Sequence, residues 1–273
     1  MTSNDIGVDL DPKQRVSVLK RKDDDGLPPG VNRELSPYWD LHKNPVVLFK
    51  HCMRYVHLAH TVSALTRFDK DPDQQVVVWD IAAGMGEMWA FLRGMRKAKG
   101  TRVHYYGLEI DPWKIERANQ YLGSSQYFHL IKRDITRPLP KNLPTADVAI
   151  STETLEHIER ADAIKLIRRL QRRGVKYFIG STPVPSRGRE KYSNPDDRGW
   201  HRYEFGHSEL RKIFKKYGWK VHFFGYFEAR YNSKDWPWWI NKNVIKQCAG
   251  LGIAGDPVPG SVTFFVLENR DAE

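Results

Sequence analysis

Cysteine is scarce in this chain of 273 residues: Cys52 and Cys248 are the only two, too few for a disulfide framework or a cysteine-based zinc centre. Both are expected as reduced, part-buried thiols. Long apolar runs are missing too. VVVW at 76–79 and VTFFVL at 262–267 fall far short of the ~18 residues that cross a bilayer, so no membrane span is expected. The opening MTSNDIGVDLDPKQ has no charged start followed by an apolar segment, so it does not resemble a secretory signal, and a cytoplasmic location is expected. No internal repeat is present.

What is present can build a core. Hydrophobic residues make up 40% and aromatics 12%, enough to fill one well-buried α/β domain. Net charge is +11, and its placement is uneven. Between Lys165 and Lys220 stand 16 Lys or Arg against 5 Asp or Glu, and the rest of the chain holds 28 of each. Such a stretch reads either as a solvated helix face or as a patch for phosphates and other acidic partners.

Residues 1–35 are polar, with the run LKRKDDDGLPPG, and read as a disordered tail; 36–273 reads as a single domain. From Pro45 to Phe68, apolar residues at Val46, Phe49, Met53, Val56, Ala59 and Val62 recur at three- and four-residue steps, the mark of an amphipathic helix. Short β-rich runs then alternate with helical patterns. Strands are expected near 76–80, 102–109, 126–133, 146–151, 175–181, 220–227 and 261–268. That alternation predicts an α/β fold with a mostly parallel seven-stranded sheet, an N-terminal helical extension, and an insertion at 228–260 before the last strand. Asp111 and Pro112 form a cap and first-turn pair, with Ile115, Ala118 and Leu122 on one buried face. Ala163, Leu166, Ile167 and Leu170 mark another.

VVVWDIAAGMGEMW sets a buried strand before a small-residue turn, and Met88, Phe91, Leu92 and Met95 give the helix after it. Gly84 and Gly86 let the backbone turn sharply and approach a ligand, leaving helix-start amides open to a carboxylate. A tight turn with no ligand would need the same glycines. A dinucleotide fingerprint is disfavoured, because its third small residue falls at Trp89.

The string Asp80-Ile-Ala82-Ala-Gly84-Met-Gly86 resembles the acidic-x-Gly-x-Gly-x-Gly loop of class I S-adenosylmethionine-dependent methyltransferases, with Ala82 in place of the first glycine. Further ordered matches are YYGLEIDP, IKRDITRPLP, ADVAISTETLEHI, STPVP and HRYEFGHSELRKIFKKYGWKV, spanning about Pro45 to Lys220 plus the last strand. The resemblance implies a doubly wound, Rossmann-like sheet. It also implies a site for S-adenosylmethionine at Asp80, Ala82, Gly84, Gly86, Glu109, Ile110, Asp134, Ile135 and Ser151. Glu109 would take the ribose hydroxyls and Asp134 the adenine amino group, whereas Asp111 is better read as a helix cap.

Glu153, Glu156 and His157 would share one face of a helix beginning at Glu153, and two carboxylates with an imidazole suit a divalent ion such as Mg2+. The string is similar to that of the ubiquinone-pathway O-methyltransferases and the small-RNA 3′-terminal 2′-O-methyltransferases. In the RNA group a later histidine completes a metal site, and His201 stands in a similar context, followed by Tyr203, Glu204 and Phe205. A structural role for the Glu-His pair remains the other reading. For a hydroxyl acceptor, His157 and His201 are the candidate catalytic bases, with Glu156 in support. Tyr38, Trp39, Trp236, Trp238 and Trp239 are candidates for a lid or acceptor pocket, or for packing on the sheet edge. Three functions stay open: methylation of a small hydroxylated acceptor, 2′-O-methylation of RNA, and a binding module that has lost catalysis.

Overall fold

The computed structural model describes residues 45–67, 75–96, 102–123, 125–183, 185, 201–227 and 262–272. The expected tail at 1–35, the aromatics Tyr38, Trp39, Trp236, Trp238 and Trp239, and the insertion at 228–260 lie outside the described residues, as do Arg187, Arg189 and Lys191 of the basic stretch.

Helix α1 (Pro45–Thr66) precedes strand β1 (Gln75–Ile81). Then come α2 (Glu87–Arg96), β2 (Arg102–Glu109), α3 (Pro112–Leu122), β3 (Phe128–Lys132) and β4 (Val148–Thr152). A single 3-10 turn at Leu155–His157 leads to α4 (Arg160–Arg172) and β5 (Tyr177–Pro183), followed by α5 (His207–Lys216), β6 (Trp219–Phe227) and β7 (Val262–Asn269). The strands form one sheet in the order β3-β2-β1-β4-β5-β7-β6. The first five are mutually parallel, and β7 runs antiparallel to both β5 and β6. All seven expected strands are present.

Two cores cover the two faces of the sheet, so the winding is double as expected. On one face Trp79, Ile81, Phe178 and Phe265 pack with Leu166, Ile167 and Leu170 of α4 and Phe214 of α5. On the other, Val76, Val78 and Tyr105 pack with Leu58 and Val62 of α1 and Met88 and Leu92 of α2. Because β1 lies mid-sheet, six of its seven residues are shielded, the near-continuous burial of a central parallel strand. Each large side chain fully buried here contributes roughly 1.5–3 kcal/mol of transfer free energy. The face expected for α4 is buried throughout. In α3 only Ala118 is fully buried, with Ile115 and Leu122 at the margin. The reversal of strand order at β1 opens a crevice at the carboxyl ends of β1 and β4, the usual ligand position in such sheets.

Candidate active site

A cavity of about 740 Å3 occupies that crevice. Its floor comes from the turn after β1, and the turn's shape follows from its backbone angles. Ala82, Gly84 and Gly86 have φ of 61°, 59° and 75°, all in the left-handed region that only glycine enters without strain. Ala82 therefore stands where the resembling loop carries glycine for a conformational reason. Gly84 lines the cavity, but Gly86 does not. A Cβ at Gly86 would lie 3.0 Å from the Phe128 ring and 3.1 Å from Leu122, so its missing side chain serves packing rather than ligand approach.

The loop amides are not open, contrary to the expectation for a helix-start anion site. Gly84 N donates to Glu109 Oε2 and Met85 N to Glu87 Oε2, both at 2.9 Å. The other oxygen of Glu109 accepts from Ile110 N and Asp111 N at 2.9 Å. These carboxylates satisfy orphan donors that an outside anion would otherwise take. Asp111 caps α3 as expected, accepting from Trp113 N at 3.0 Å.

Asp80 lies buried behind the loop and accepts a 2.5 Å hydrogen bond from the Tyr105 hydroxyl. Burial pushes its carboxyl up to about 7. The Tyr105 bond opposes that rise, and the charges of Glu87 and Glu109 add to it. Asp134 Oδ1 accepts from the amide and the hydroxyl of Thr136, at 2.8 and 2.7 Å, which folds the turn after β3. Arg169 of α4 fastens that turn from behind by donating to the carbonyls of Ile135, Thr136 and Arg137. Ile110, Asp134 and Ile135 all line the cavity, whereas Ser151 is buried outside its lining.

The opposite wall carries the Glu-x-x-Glu-His string, and no helix begins at Glu153. That residue directly follows β4 with φ 48°, and only the short 3-10 turn comes after it. Glu153 Oε1 accepts from Ser181 Oγ at 2.8 Å, and Oε2 lies 3.9 Å from Arg54. Glu156 is fully buried. Its Oε2 accepts from Thr182 Oγ1 at 3.0 Å, while Oε1 has no hydrogen-bond partner and lies 3.8 Å from His157 Nε2. Burial, reinforced by the Glu153 charge, raises the Glu156 carboxyl well above the ordinary carboxylate range. The backbone carbonyl of Glu156 accepts from Arg202 N and Tyr203 N, docking the HRYEF segment against the turn. The His201 and His157 rings meet edge to face at 5.1 Å, and His201 Nδ1 lies 2.5 Å from Oε1 of the buried Glu204. Ligand-type atoms of Glu156, His157 and His201 fall within 4.8 Å of one another; Glu153 is not in this group.

Sequence reasoning gave no role to Arg54, Glu87, Tyr105, Thr182 or Glu204. Only Glu87 and Glu204 carry a local signal, by adjacency to Gly86 and by spacing from His201. The others arrive from distant elements. As for the basic stretch, Arg202 is its one described residue in the cavity lining. Arg173 stacks over Trp79, Arg168 and Lys216 flank the Tyr217 ring, and Lys220 pairs with Glu268.

Residues 51–222 match the family model described as a methyltransferase domain. No curated protein matches the sequence. Among solved structures, a putative sarcosine dimethylglycine methyltransferase from Galdieria sulphuraria aligns at 14% identity with a TM-score of 0.55, covering 86% of this chain and 98% of that one. Magnesium protoporphyrin IX methyltransferase from Synechocystis PCC 6803 with bound SAM aligns at 14% identity and TM-score 0.52, covering 88% and 100%. A Haloferax volcanii putative methyltransferase complex with the Trm112 methyltransferase activator aligns at 16% and 0.50, covering 78% and 94%. At these identities the likeness concerns the fold.

Proposed function

Since this chain belongs to the methyltransferase domain family, whose model spans residues 51–222, we infer that it moves a methyl group from S-adenosylmethionine to the oxygen of a small hydroxylated acceptor. The donor's place is the cavity end formed by Asp80, Ala82, Gly84, Glu109, Asp134 and Ile135. Three carboxylates, those of Asp80, Glu87 and Glu109, gather there, and they suit a ligand carrying a sulfonium and an ammonium group. Glu109 and Asp134 present acceptors for ribose hydroxyls and an adenine amino group.

The observation that carries the choice of oxygen is the contact between His201 Nδ1 and buried Glu204. A carboxylate on Nδ1 fixes the ring's tautomer and makes Nε2 the nitrogen that accepts a proton. The hydroxyl oxygen forms a bond to the methyl carbon, the carbon–sulfur bond pair leaves with sulfur, and the hydroxyl proton passes to His201 or His157. In such an in-line displacement the remaining task of the protein is alignment and exclusion of water. The orphaned Glu156 Oε1 and the two imidazoles beside it also fit a divalent cation, which when bound would lower the pKa of the acceptor hydroxyl. Glu156, His157 and His201 would hold it, without Glu153.

RNA 2′-O-methylation is the second reading, favoured by that same donor set. The first is preferred because Arg202 alone among the described residues of the basic stretch lines the cavity. Methyl transfer from labelled S-adenosylmethionine to fractionated small-molecule, RNA, DNA, protein and lipid pools, with and without excess chelator, tests both. Label is expected in the small-molecule pool, and His201→Ala should lower its rate by roughly 10²–10⁴. Label confined to RNA, with affinity falling about 0.7 log units per phosphate contact for each tenfold rise in salt, would overturn the small-molecule reading. Absence of donor binding would make the chain a non-catalytic module.

A further inference from the structure

The outer faces of α4 and α5 carry charge of one sign. Arg168 and Arg172 on α4, and Arg211, Lys212, Lys215 and Lys216 on α5, are all exposed, and none of them is paired with an acid among the described residues. The acids of these two helices are engaged elsewhere: Asp162 holds Lys165 at 2.8 Å, and Glu209 takes Arg160 at 2.6 Å and the Tyr203 hydroxyl at 2.8 Å. Arg168 and Arg172, Arg211 and Lys215, and Lys212 and Lys216 each stand four residues apart, where like charges on a helix repel. Cations in a last turn complement the helix dipole, which accounts for Arg172, Lys215 and Lys216 but not for Arg168, Arg211 or Lys212. The six form one surface. Arg160 of α4 holds Glu209 of α5 at one end of the helix pair, and at the other Arg168 and Lys216 lie 6.0 and 5.8 Å from the centre of the Tyr217 ring. Both helices pack on the same face of the sheet.

None of the six lines the cavity. Both helices run from the cavity side back toward the amino ends of the strands, and the ten residues of α5 rise about 15 Å. An anion held by Lys215 and Lys216 is therefore not the group that receives the methyl. Its class follows from what this surface omits. A protein interface draws its energy from a buried aromatic or aliphatic anchor, and a helix lying on a membrane inserts an apolar face. Neither is offered here: among the described residues the exposed large hydrophobic side chain is Tyr121, on α3 across the sheet. A nucleic acid asks only for cations, because each neutralised phosphate releases its counterion. We propose that the outer faces of α4 and α5 are a docking surface for the phosphate backbone of a nucleic acid, separate from the cavity. This goes beyond the donor and acceptor readings, and it stands whichever acceptor the cavity takes.

Fluorescence anisotropy of a labelled single-stranded oligouridylate, titrated with the full chain across a salt series, tests the surface. With all six cations engaged, log affinity should fall by roughly 4 for each tenfold rise in salt, at about 0.7 per phosphate contact. Lys212→Ala should lower that slope by about 0.7, and Lys212→Ala combined with Lys215→Ala by about 1.4. Arg93→Ala removes an exposed cation from α2, on the other face of the sheet, and should leave the slope unchanged. These variants put a stronger helix former at exposed positions, so their melting temperatures should hold. No binding at low salt, equal losses from Lys212→Ala and Arg93→Ala, or an unchanged slope in the double variant overturns the proposal. A loss concentrated in Arg202→Ala overturns it too, by drawing the strand into the cavity. Binding of phosphatidylserine vesicles or polyglutamate in place of the oligonucleotide gives the surface to a membrane or an acidic protein, with the same consequence. Docking that weakens in the double variant supports the proposal even where the methyl label enters only small molecules.

Discussion

Replacing Asp80 by Asn should change how stability depends on pH, by an amount that follows from the burial of one carboxyl. Asp80 is raised from 3.8 to about 7, with burial as the main cause. In the unfolded chain the group releases its proton near the ordinary aspartate value, whereas the folded chain keeps it to about neutrality. Between those limits the folded state binds the extra proton, so stability falls as pH rises, by about 1.4 kcal/mol per pH unit. From about pH 5 to about pH 7 the loss amounts to roughly 2 kcal/mol, and above about pH 8 the curve flattens. Asparagine keeps the shape and still accepts from the Tyr105 hydroxyl, but it does not titrate. The stability gap between Asp80→Asn and the unmodified protein should therefore move in the variant's favour across that window. Glu156 adds a slope of the same sign, but both proteins share it and it cancels in the difference. Urea unfolding at four pH values between about 5 and 8 measures the gap. Parallel curves would refute the claim that Asp80 is held protonated by its surroundings. A cationic donor bound beside it should favour the anion, so binding below neutrality should release a proton, readable from calorimetry in buffers of different ionisation enthalpy.

Two substitutions in the loop separate strain from ligand contact. Ala82→Gly relieves a left-handed alanine at φ 61°, a gain of about 1–2 kcal/mol set against about 0.4–1 kcal/mol of added unfolded-chain entropy. The net should be a stabilisation of up to ~1 kcal/mol in chemical unfolding, and a loss of that size would refute the strain. Gly86→Ala places a Cβ 3.0 Å from Phe128 at φ 75°, and should cost about 2–4 kcal/mol from strain and overpacking together. Because Gly86 does not line the cavity, the folded fraction of that variant should bind donor with unchanged affinity, and a selective loss of binding at full stability would reverse the assignment.

Much of the fold was legible because burial leaves a period in the sequence. Leu166, Ile167 and Leu170 sit at helical spacing and all reach the core, and VVVW reads as a shielded strand and is one. The site was legible only where its residues follow one another along the chain. Gly84, Glu109 and Asp134 fall at strand ends, and strand ends can be found from hydrophobic runs. The Glu-x-x-Glu-His string failed differently. Its spacing matches a helix face, but Glu153 directly follows β4 in a left-handed conformation and turns toward Ser181 and Arg54, both remote in sequence. A period cannot announce a partner 28 or 99 residues away, and the contacts of Glu153 with Ser181 and Arg54 are of that kind.

The same distinction bears on the proposal that the glycine loop takes a sulfonium ligand and not a dinucleotide. In sequence the argument turned on Trp89, too large for the third small position. Trp89 is indeed accommodated, buried and stacked on Phe128 at 5.7 Å. The stronger reason is electrostatic. A pyrophosphate needs the amides at the helix start, and here Gly84 N and Met85 N already donate to Glu109 and Glu87. Displacing those carboxylates would leave two buried negative charges next to two more on the phosphates, with Asp80 behind them. A cation entering the same space meets the opposite field and gives Asp80 reason to release its proton. The selectivity of the loop thus lies in which carboxylates fill its amides, with the glycines setting only its path.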